Sequence, residues 1–308
     1  MARHELLGER HPNYSSVFAQ VSDELQSVGA LVRQRLPALP SRKEIPSVWK
    51  LSNSVFDSMT IRNIVRGLLG EPLLGMIDYY RFPERRKAWG GPFNGQASRQ
   101  ALFRALVEQF KPAAIVETGT FMGTTTAFMA RDGLPVYSAE INPRAHGFAK
   151  ARFRGVENVH LQLGDSRQLL GSVLDGPLRS VQAQTLFVYL DAHWNADLPL
   201  AEELAIVFSR CPAAIVMVDD FHVPSDAGYA YDDFGPDDAL TESYIAPAVA
   251  EHSLDVFYPS TPSAEESGAR RGCVILAKRD VHGADLASMP LLRRASVQTS
   301  SMPAPGTS

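Results

Sequence analysis

The 308-residue chain predicts an α/β fold: a doubly wound, mostly parallel seven-stranded sheet with an antiparallel C-terminal hairpin and an N-terminal helical extension. Three observations predict it. From Gly91 onward short apolar runs alternate with helix-compatible segments, the pattern of βαβ units in a parallel sheet. The first run, in Ile115-Val-Glu-Thr-Gly-Thr-Phe-Met-Gly-Thr-Thr-Thr126, passes into an acid, a glycine turn and a threonine-rich helix start, which is the form of a ligand-binding βα turn. The last two runs, Leu254–Tyr258 and Cys273–Ala277, are joined by a polar Pro/Ser/Glu/Gly loop too short for a helical crossover, so they pair as a hairpin on the sheet edge.

Residues 1–90 read as a helical accessory region. Val17, Phe18, Val21, Leu25, Val28 and Val32 fall at helical spacing, as do Val55, Phe56, Met59, Ile64 and Leu68, with a Pro-rich break at Leu36–Pro46 between them. Such helices serve as packing for the main domain, as a lid, or as a homo-oligomer interface. In the main domain, residues 91–280, a helix is expected at Ala97–Phe110, followed by strands at Ala114–Glu117, Val136–Glu140, Val159–Leu163, Leu186–Leu190 and Ala214–Val218. Beyond about Lys278 the composition drifts to Ser, Pro, Ala and Thr, and residues 281–308 are expected to be a disordered tail.

Composition narrows the function classes. A net charge of −4 and a hydrophobic fraction of 45% belong to an ordinary globular protein, with neither a nucleic-acid footprint nor a polybasic membrane patch. Only two cysteines occur, Cys211 and Cys273, each in an apolar run, which argues for reduced thiols and against a disulfide framework. With no signal-like start and no apolar run long enough to span a bilayer, the expected location is the cytoplasm.

The residues of the first turn choose among ligands. A dinucleotide loop needs glycine where Phe121 stands between Gly119 and Gly123, and Glu117 repels a diphosphate. An acid there suits a ligand carrying positive charge, such as the amino group and sulfonium of S-adenosylmethionine, with the ligand's carboxylate meeting N–H groups of the turn. Glu140 ends the second strand 23 positions after Glu117, near the offset at which a carboxylate reaches a nucleotide ribose; its alternative role is to cap the helix beginning at Asn142-Pro143. Asp165, in Gly164-Asp165-Ser166 after the third strand, is placed either to accept from an adenine amino group or to cap a helix.

Two further clusters follow the fourth and fifth strands. Tyr189-Leu-Asp-Ala-His-Trp194 and Val218-Asp-Asp-Phe-His222 bring Asp191, His193, Asp219, Asp220 and His222 toward one crevice. Asp191 and His193 share a face of an extended chain, whereas Asp219 and Asp220 act together only if the chain bends between them. Clustered carboxylates repel unless protonated, paired or metal-bound, and a hard divalent cation, magnesium first, resolves the repulsion. His193 suits the part of general base. Asp191 and Asp219 are equally able to cap helices. The loop Pro224–Pro236 carries aromatic and acidic groups that fit recognition of a polyhydroxylated acceptor or packing on its own domain, and Trp89–Gln96 either folds over the cofactor or links two regions.

Together, Glu117-Thr-Gly-Thr-Phe-Met-Gly123, Ala139-Glu140, Gly164-Asp165-Ser166, Leu190-Asp-Ala-His193 and Asp219-Asp220 resemble the class I S-adenosylmethionine-dependent methyltransferases. Within them the chain is most like the macrocin-type sugar O-methyltransferase and cephalosporin-hydroxylase-like branch, over roughly residues 90 to 280. The resemblance implies a Rossmann-like methyltransferase fold and O-methylation of a small-molecule or sugar hydroxyl. It implies that Glu117, Gly119 and Gly123 hold the methionine end, with Thr120 and Phe121 of the same turn, Glu140 the ribose, and Asp165 with Ser166 the adenine side. It also implies that Asp191, Asp219 and Asp220 hold magnesium. His193 stands where the family pattern has a second acid, which leaves the base open between His193 and Asp191. Competing readings are a non-catalytic S-adenosylmethionine-binding protein acting through a partner, and a metal-dependent hydroxylase using two histidines and an acid as an iron site.

Overall fold

The computed structural model describes residues 70–193, 197–235 and 238–295. The helices expected within residues 1–69, with their lid or oligomer role, lie outside the described residues, as do Trp194 and the chain beyond Ala295. The chain divides at Gly70 into two units, and the sheet lies wholly in the second, Glu71–Ser308, which begins before the expected start at Gly91.

Among the described residues eight strands form one sheet: β1 Ala114–Thr118, β2 Val136–Glu140, β3 Val159–Leu163, β4 Leu186–Leu190, β5 Ala214–Asp219, β6 Leu254–Pro259, β7 Cys273–Lys278 and β8 Leu292–Arg294. Their spatial order is β3-β2-β1-β4-β5-β7-β6-β8. The first five pair in parallel and β7 joins β5 antiparallel, so the expected hairpin is present, inserted through its second strand. This is the doubly wound, mostly parallel sheet that the sequence predicts, with two corrections. The sheet has eight strands, because β8 adds to β6. Residues 281–295 are ordered, carrying a short helix at Ala284–Ala287 and then β8, where composition alone suggests a disordered tail.

The helices are α1 at 70–81, α2 Ala97–Phe110, α3 Thr124–Met129, α4 Pro143–Arg152, α5 Ser166–Asp175, α6 Leu200–Arg210, α7 Glu242–His252 and α8 Ala284–Ala287. Their starts follow from local chemistry. Asn142 accepts from the N–H groups of Arg144 and Ala145 with Pro143 in the first turn of α4, and Asp165 accepts from Arg167 N–H at the head of α5. The central strands are buried on both sides, which is why they read as unbroken apolar runs instead of alternating ones.

Two cores clamp the sheet. On one face Leu169, Leu170 and Val173 of α5, Leu204, Val207 and Phe208 of α6 and Ile245 of α7 pack on Val116, Val188 and Val216. On the other, Leu102, Phe103 and Leu106 of α2 and Phe128 of α3 meet Phe93, Ile115, Phe187 and Tyr189. Phe93 sits at the centre of an aromatic group, its ring 5.2 Å from Tyr189 and 5.5 Å from Phe103. Burying each such ring is worth roughly 1.5–3 kcal/mol. Helix α1 lies against α4 at backbone contact, since a Cβ on Gly147 would stand 1.9 Å from the carbonyl oxygen of Pro72.

Candidate active site

The order β2-β1-β4 reverses the direction of winding at β1, and open α/β sheets bind ligands beyond the carboxyl ends of the strands at that point. Here the ends of β1 and β4 touch. Asp191 N–H donates to Thr118 O at 3.1 Å, and Gly119, at φ +86°, comes so close that a Cβ would lie 2.1 Å from Asp191 O. Only glycine fits both the conformation and the gap.

The turn after β1 is closed on itself. Gly119 and Thr120 N–H both donate to Ala139 O, Gly123 N–H to Thr120 O, and Phe121 N–H to Glu140 Oε2 at 2.6 Å. Phe121 holds φ +48°, a left-handed backbone rare for an aromatic residue, and strain of this kind concentrates at functional turns. These four N–H groups are already spent inside the protein, so a ligand carboxylate does not find them free, contrary to the expectation from the sequence.

Glu117 is buried, and its Oε2 accepts from Thr126 Oγ1 and Ser138 Oγ, each at 2.5 Å. Burial pushes its carboxyl up to about 7, against the pull of the two hydroxyls. Ser138 also meets Thr120 Oγ1 at 2.5 Å, which ties the first turn to β2. Glu140 is fixed at both oxygens, accepting from Phe121 N–H and from Asn142 N–H at 2.7 Å, and burial raises its pKa. Beside it Ile141 is 70% exposed, and Leu163, paired with Glu140 across the β2–β3 ladder, is 44% exposed. Two open aliphatic side chains next to a held carboxylate make an apolar shelf, which the sequence pattern alone did not mark. Asp165 caps α5 and is ion-paired with Arg167, whose Nη2 lies 2.6 Å from Oδ2; Ser166 is buried behind it. The Arg167 guanidinium holds Asp165 below the usual carboxylate range.

Across the crevice the second acidic group assembles differently from expectation. Asp219, expected as a third metal ligand, is buried and fully engaged: it pairs with Arg99 of α2, accepts from Tyr189 OH and Asn94 Nδ2, and holds the N–H of Asp220 at 2.8 Å. Asp220 supplies the bend, at φ +52°, and its carboxylate goes to Arg271 where that of Asp219 goes to Arg99. The ligand atoms that do converge belong to Asp191, His193 and Asp220, all within 4.8 Å of one another. His193 is 2% exposed, and neither ring nitrogen has a hydrogen-bond partner among the described residues. Burial pushes its pKa down to about 4, so the ring is neutral at physiological pH. Burial and the neighbouring carboxylates of Asp220 and Glu117 hold Asp191 well above the carboxylate range.

Arg271 completes the wall, its Nε 2.7 Å from Asp220 and its Nη2 on Asp232. Arg99 lies 120 positions from Asp219 and Arg271 lies 51 from Asp220, so local sequence spacing marks neither. His222 is not part of the set: its ring packs edge-on against Tyr231 at 4.7 Å, so the histidine pair of an iron site is not assembled. Tyr229 of the 224–236 loop turns inward to donate to Thr261 O, while Asp232 of the same loop reaches the site. The Trp89–Gln96 segment is no linker. Asn94 reaches Asp219, Gln96 exchanges two hydrogen bonds with the Arg271 backbone, and Trp89, 63% exposed, sets its ring 6.4 Å from that of Phe121.

No protein-family model and no curated protein matches the chain. Solved structures do. The O-methyltransferase of Bacillus cereus in complex with SAH is 15% identical, over 58% of this chain and 80% of that one, with a TM-score of 0.45. The O-methyltransferase TomG of Streptomyces achromogenes, involved in tomaymycin synthesis and bound to SAM, is 18% identical over 59% and 80%, with a TM-score of 0.42. The glycopeptide N-methyltransferase MtfA, complexed with S-adenosylmethionine, is 13% identical over 59% and 93%, with a TM-score of 0.38. No helix among the described residues is long and apolar enough to cross a membrane.

Proposed function

We propose that the chain is an S-adenosylmethionine-dependent methyltransferase that transfers a methyl group to a hydroxyl of a small-molecule acceptor, with a divalent cation beside the acceptor. The observation that carries this reading is the pair Glu117 and Glu140. Two acids stand at the ends of adjacent parallel strands beside a glycine turn, an arrangement whose negative charge favours a cationic, ribose-bearing ligand over a diphosphate.

On this reading Glu117 faces the amino group of the donor. Glu140, its oxygens aligned by two backbone N–H groups, accepts from the ribose hydroxyls with its remaining lone pairs. Ile141 and Leu163 cover the two sides of the adenine, and Asp165 Oδ2 and Ser166 border its edge. The methyl then points toward β4 and β5, where Asp191, His193 and Asp220 converge. Holding acceptor and donor in line supplies much of the acceleration, with effective molarities up to about 10⁵–10⁸ M in well-oriented reactions. The cation would lower the pKa of the acceptor hydroxyl and orient it. Asp191, Asp220 and His193 fit such an ion by their chemistry, since two carboxylates and a neutral imidazole are all cation ligands and His193 has no competing partner among the described residues.

The test is calorimetric titration of the full chain with S-adenosylmethionine, on the wild type and on Glu140→Ala. The wild type should bind, and the variant should bind about 10- to 100-fold more weakly, the loss of one to two charge-assisted hydrogen bonds. No binding by the wild type removes the proposal. Equal binding by the two removes the ribose assignment.

A further inference from the structure

We propose that Asp191, His193 and Asp220 form a mixed nitrogen and oxygen site for a first-row divalent transition ion of the manganese(II) type, in preference to magnesium. The inference deepens the methyltransferase reading, on which it rests for the ion's place beside the acceptor, but its argument is one of ligand geometry and charge.

The three ligand atoms lie within 4.8 Å of one another. Ligands of one ion at about 2.1 Å stand about 3.0 Å apart when adjacent and about 4.2 Å when opposite, so side-chain adjustment on the order of 1 Å closes the set around one centre. The histidine is the telling member. It is almost completely buried, yet both ring nitrogens lack a partner among the described residues. Buried polar atoms are satisfied in nearly all native structures, and leaving one unsatisfied is costly. An ion takes one nitrogen, and the other is free to donate to a water or to the acceptor, as ligating histidines do.

Charge points the same way. Asp219 is neutralised by Arg99, whereas Asp220 and Asp232 share the single guanidinium of Arg271 and Asp191 has no ion pair among the described residues. When ionised, that group keeps two uncompensated negative charges among the described residues, which a divalent ion cancels.

The donor types then select the ion. With Asp219 turned to Arg99, the carboxylate trio expected from the sequence is not available, and a nitrogen completes the triad in its place. Magnesium prefers oxygen ligands and retains its waters, whereas imidazole suits the transition ions and carboxylates tolerate manganese and iron.

The experiment uses the full chain, stripped with a chelator and reloaded with Mn2+ or Mg2+, as wild type, His193→Asp and His193→Gln. Calorimetry gives the two affinities, and pulsed electron paramagnetic resonance of bound Mn2+ detects coupling to a ligand ¹⁴N. The wild type should bind Mn2+ at least tenfold more tightly than Mg2+ and show imidazole ¹⁴N coupling. Both variants should lose the coupling, and His193→Asp should narrow the preference about tenfold. Mn2+ bound without ¹⁴N coupling in the wild type, equal affinity for the two ions, or no Mn2+ binding by folded wild type would each overturn the proposal. The wild-type measurement stands even if a variant fails to fold. Titration of the same samples with S-adenosylmethionine separates the two ideas. Donor binding without the nitrogen signature sinks the metal site alone, and the signature without donor binding sinks the methyltransferase reading alone.

Discussion

At the ends of β1 and β2 the polar groups close on one another, whereas at the ends of β4 and β5 they stop short. Glu140 has both oxygens on backbone N–H groups, Glu117 has two hydroxyls on one oxygen, and the turn between them spends four of its N–H donors internally. Among the described residues His193 has two unmet nitrogens, two carboxylates share one arginine, and Asp191 has no ion pair. A cradle that is finished before its ligand arrives spends little on reorganisation, which is what tight retention of a common cofactor needs. A set left electrostatically incomplete is organised around something that arrives, here an ion and the acceptor it orients. The boundary between the two halves is the buried network of Arg99, Asp219, Tyr189 and Asn94.

That boundary offers the largest effect. Arg99→Met removes the only guanidinium on Asp219 among the described residues and leaves a buried carboxylate without that counter-charge, which should cost about 3–5 kcal/mol of stability, read from urea denaturation. A loss under about 1 kcal/mol would mean that the network does not separate the halves as described.

A smaller effect tests whether the finished half is finished underneath. Glu203 of α6 is fully buried and neither oxygen makes a hydrogen bond of normal geometry among the described residues, although the hydroxyls of Ser166 and Thr118 pull against the burial that raises it to about 7. Below about pH 4.5 both folded and unfolded chains hold the proton and nothing is lost. As pH rises to 7 the unfolded chain ionises first, so folding stability falls, by up to about 3 kcal/mol above pH 7. Glu203→Gln should therefore be more stable than the wild type at pH 8 by up to that amount and equal to it at pH 4.5. A pH-independent difference would remove Glu203 from this account.

The smallest effect concerns Glu117. Its carboxyl titrates near 7 without ligand, and a cationic donor group binds the ionised form. Affinity for S-adenosylmethionine should then fall as pH drops below 7, approaching about tenfold per unit, the limit for one linked proton. A flat profile from pH 7 to 5.5 would show that the donor's cation is held elsewhere.

The parts of the fold legible in the sequence are those written in contiguous residues. Strands such as Leu186–Leu190 are unbroken apolar runs because both faces are covered, and α2 begins and ends where its spacing predicts. The three-residue β8 was not legible, since Leu-Arg-Arg carries no alternation and its pairing with β6 is a tertiary matter. In the site, Glu117, Glu140 and the Gly119 turn were legible from spacing. The division of labour between Asp219 and Asp220 was not, because it depends on a left-handed bend at a non-glycine residue and on an arginine 120 positions away. The unpartnered state of His193 is likewise a property of what surrounds it, not of its neighbours in the chain.

The short strand β8 has one more consequence. Sheets end in rows of unsatisfied amides that invite further chains to add and propagate into aggregates. Here the last strand spans three residues, and Arg293 and Arg294 place two cations along it, one of them tethered to buried Asp255. Among the described residues an incoming strand meets a short edge and positive charge, which opposes runaway growth at that side.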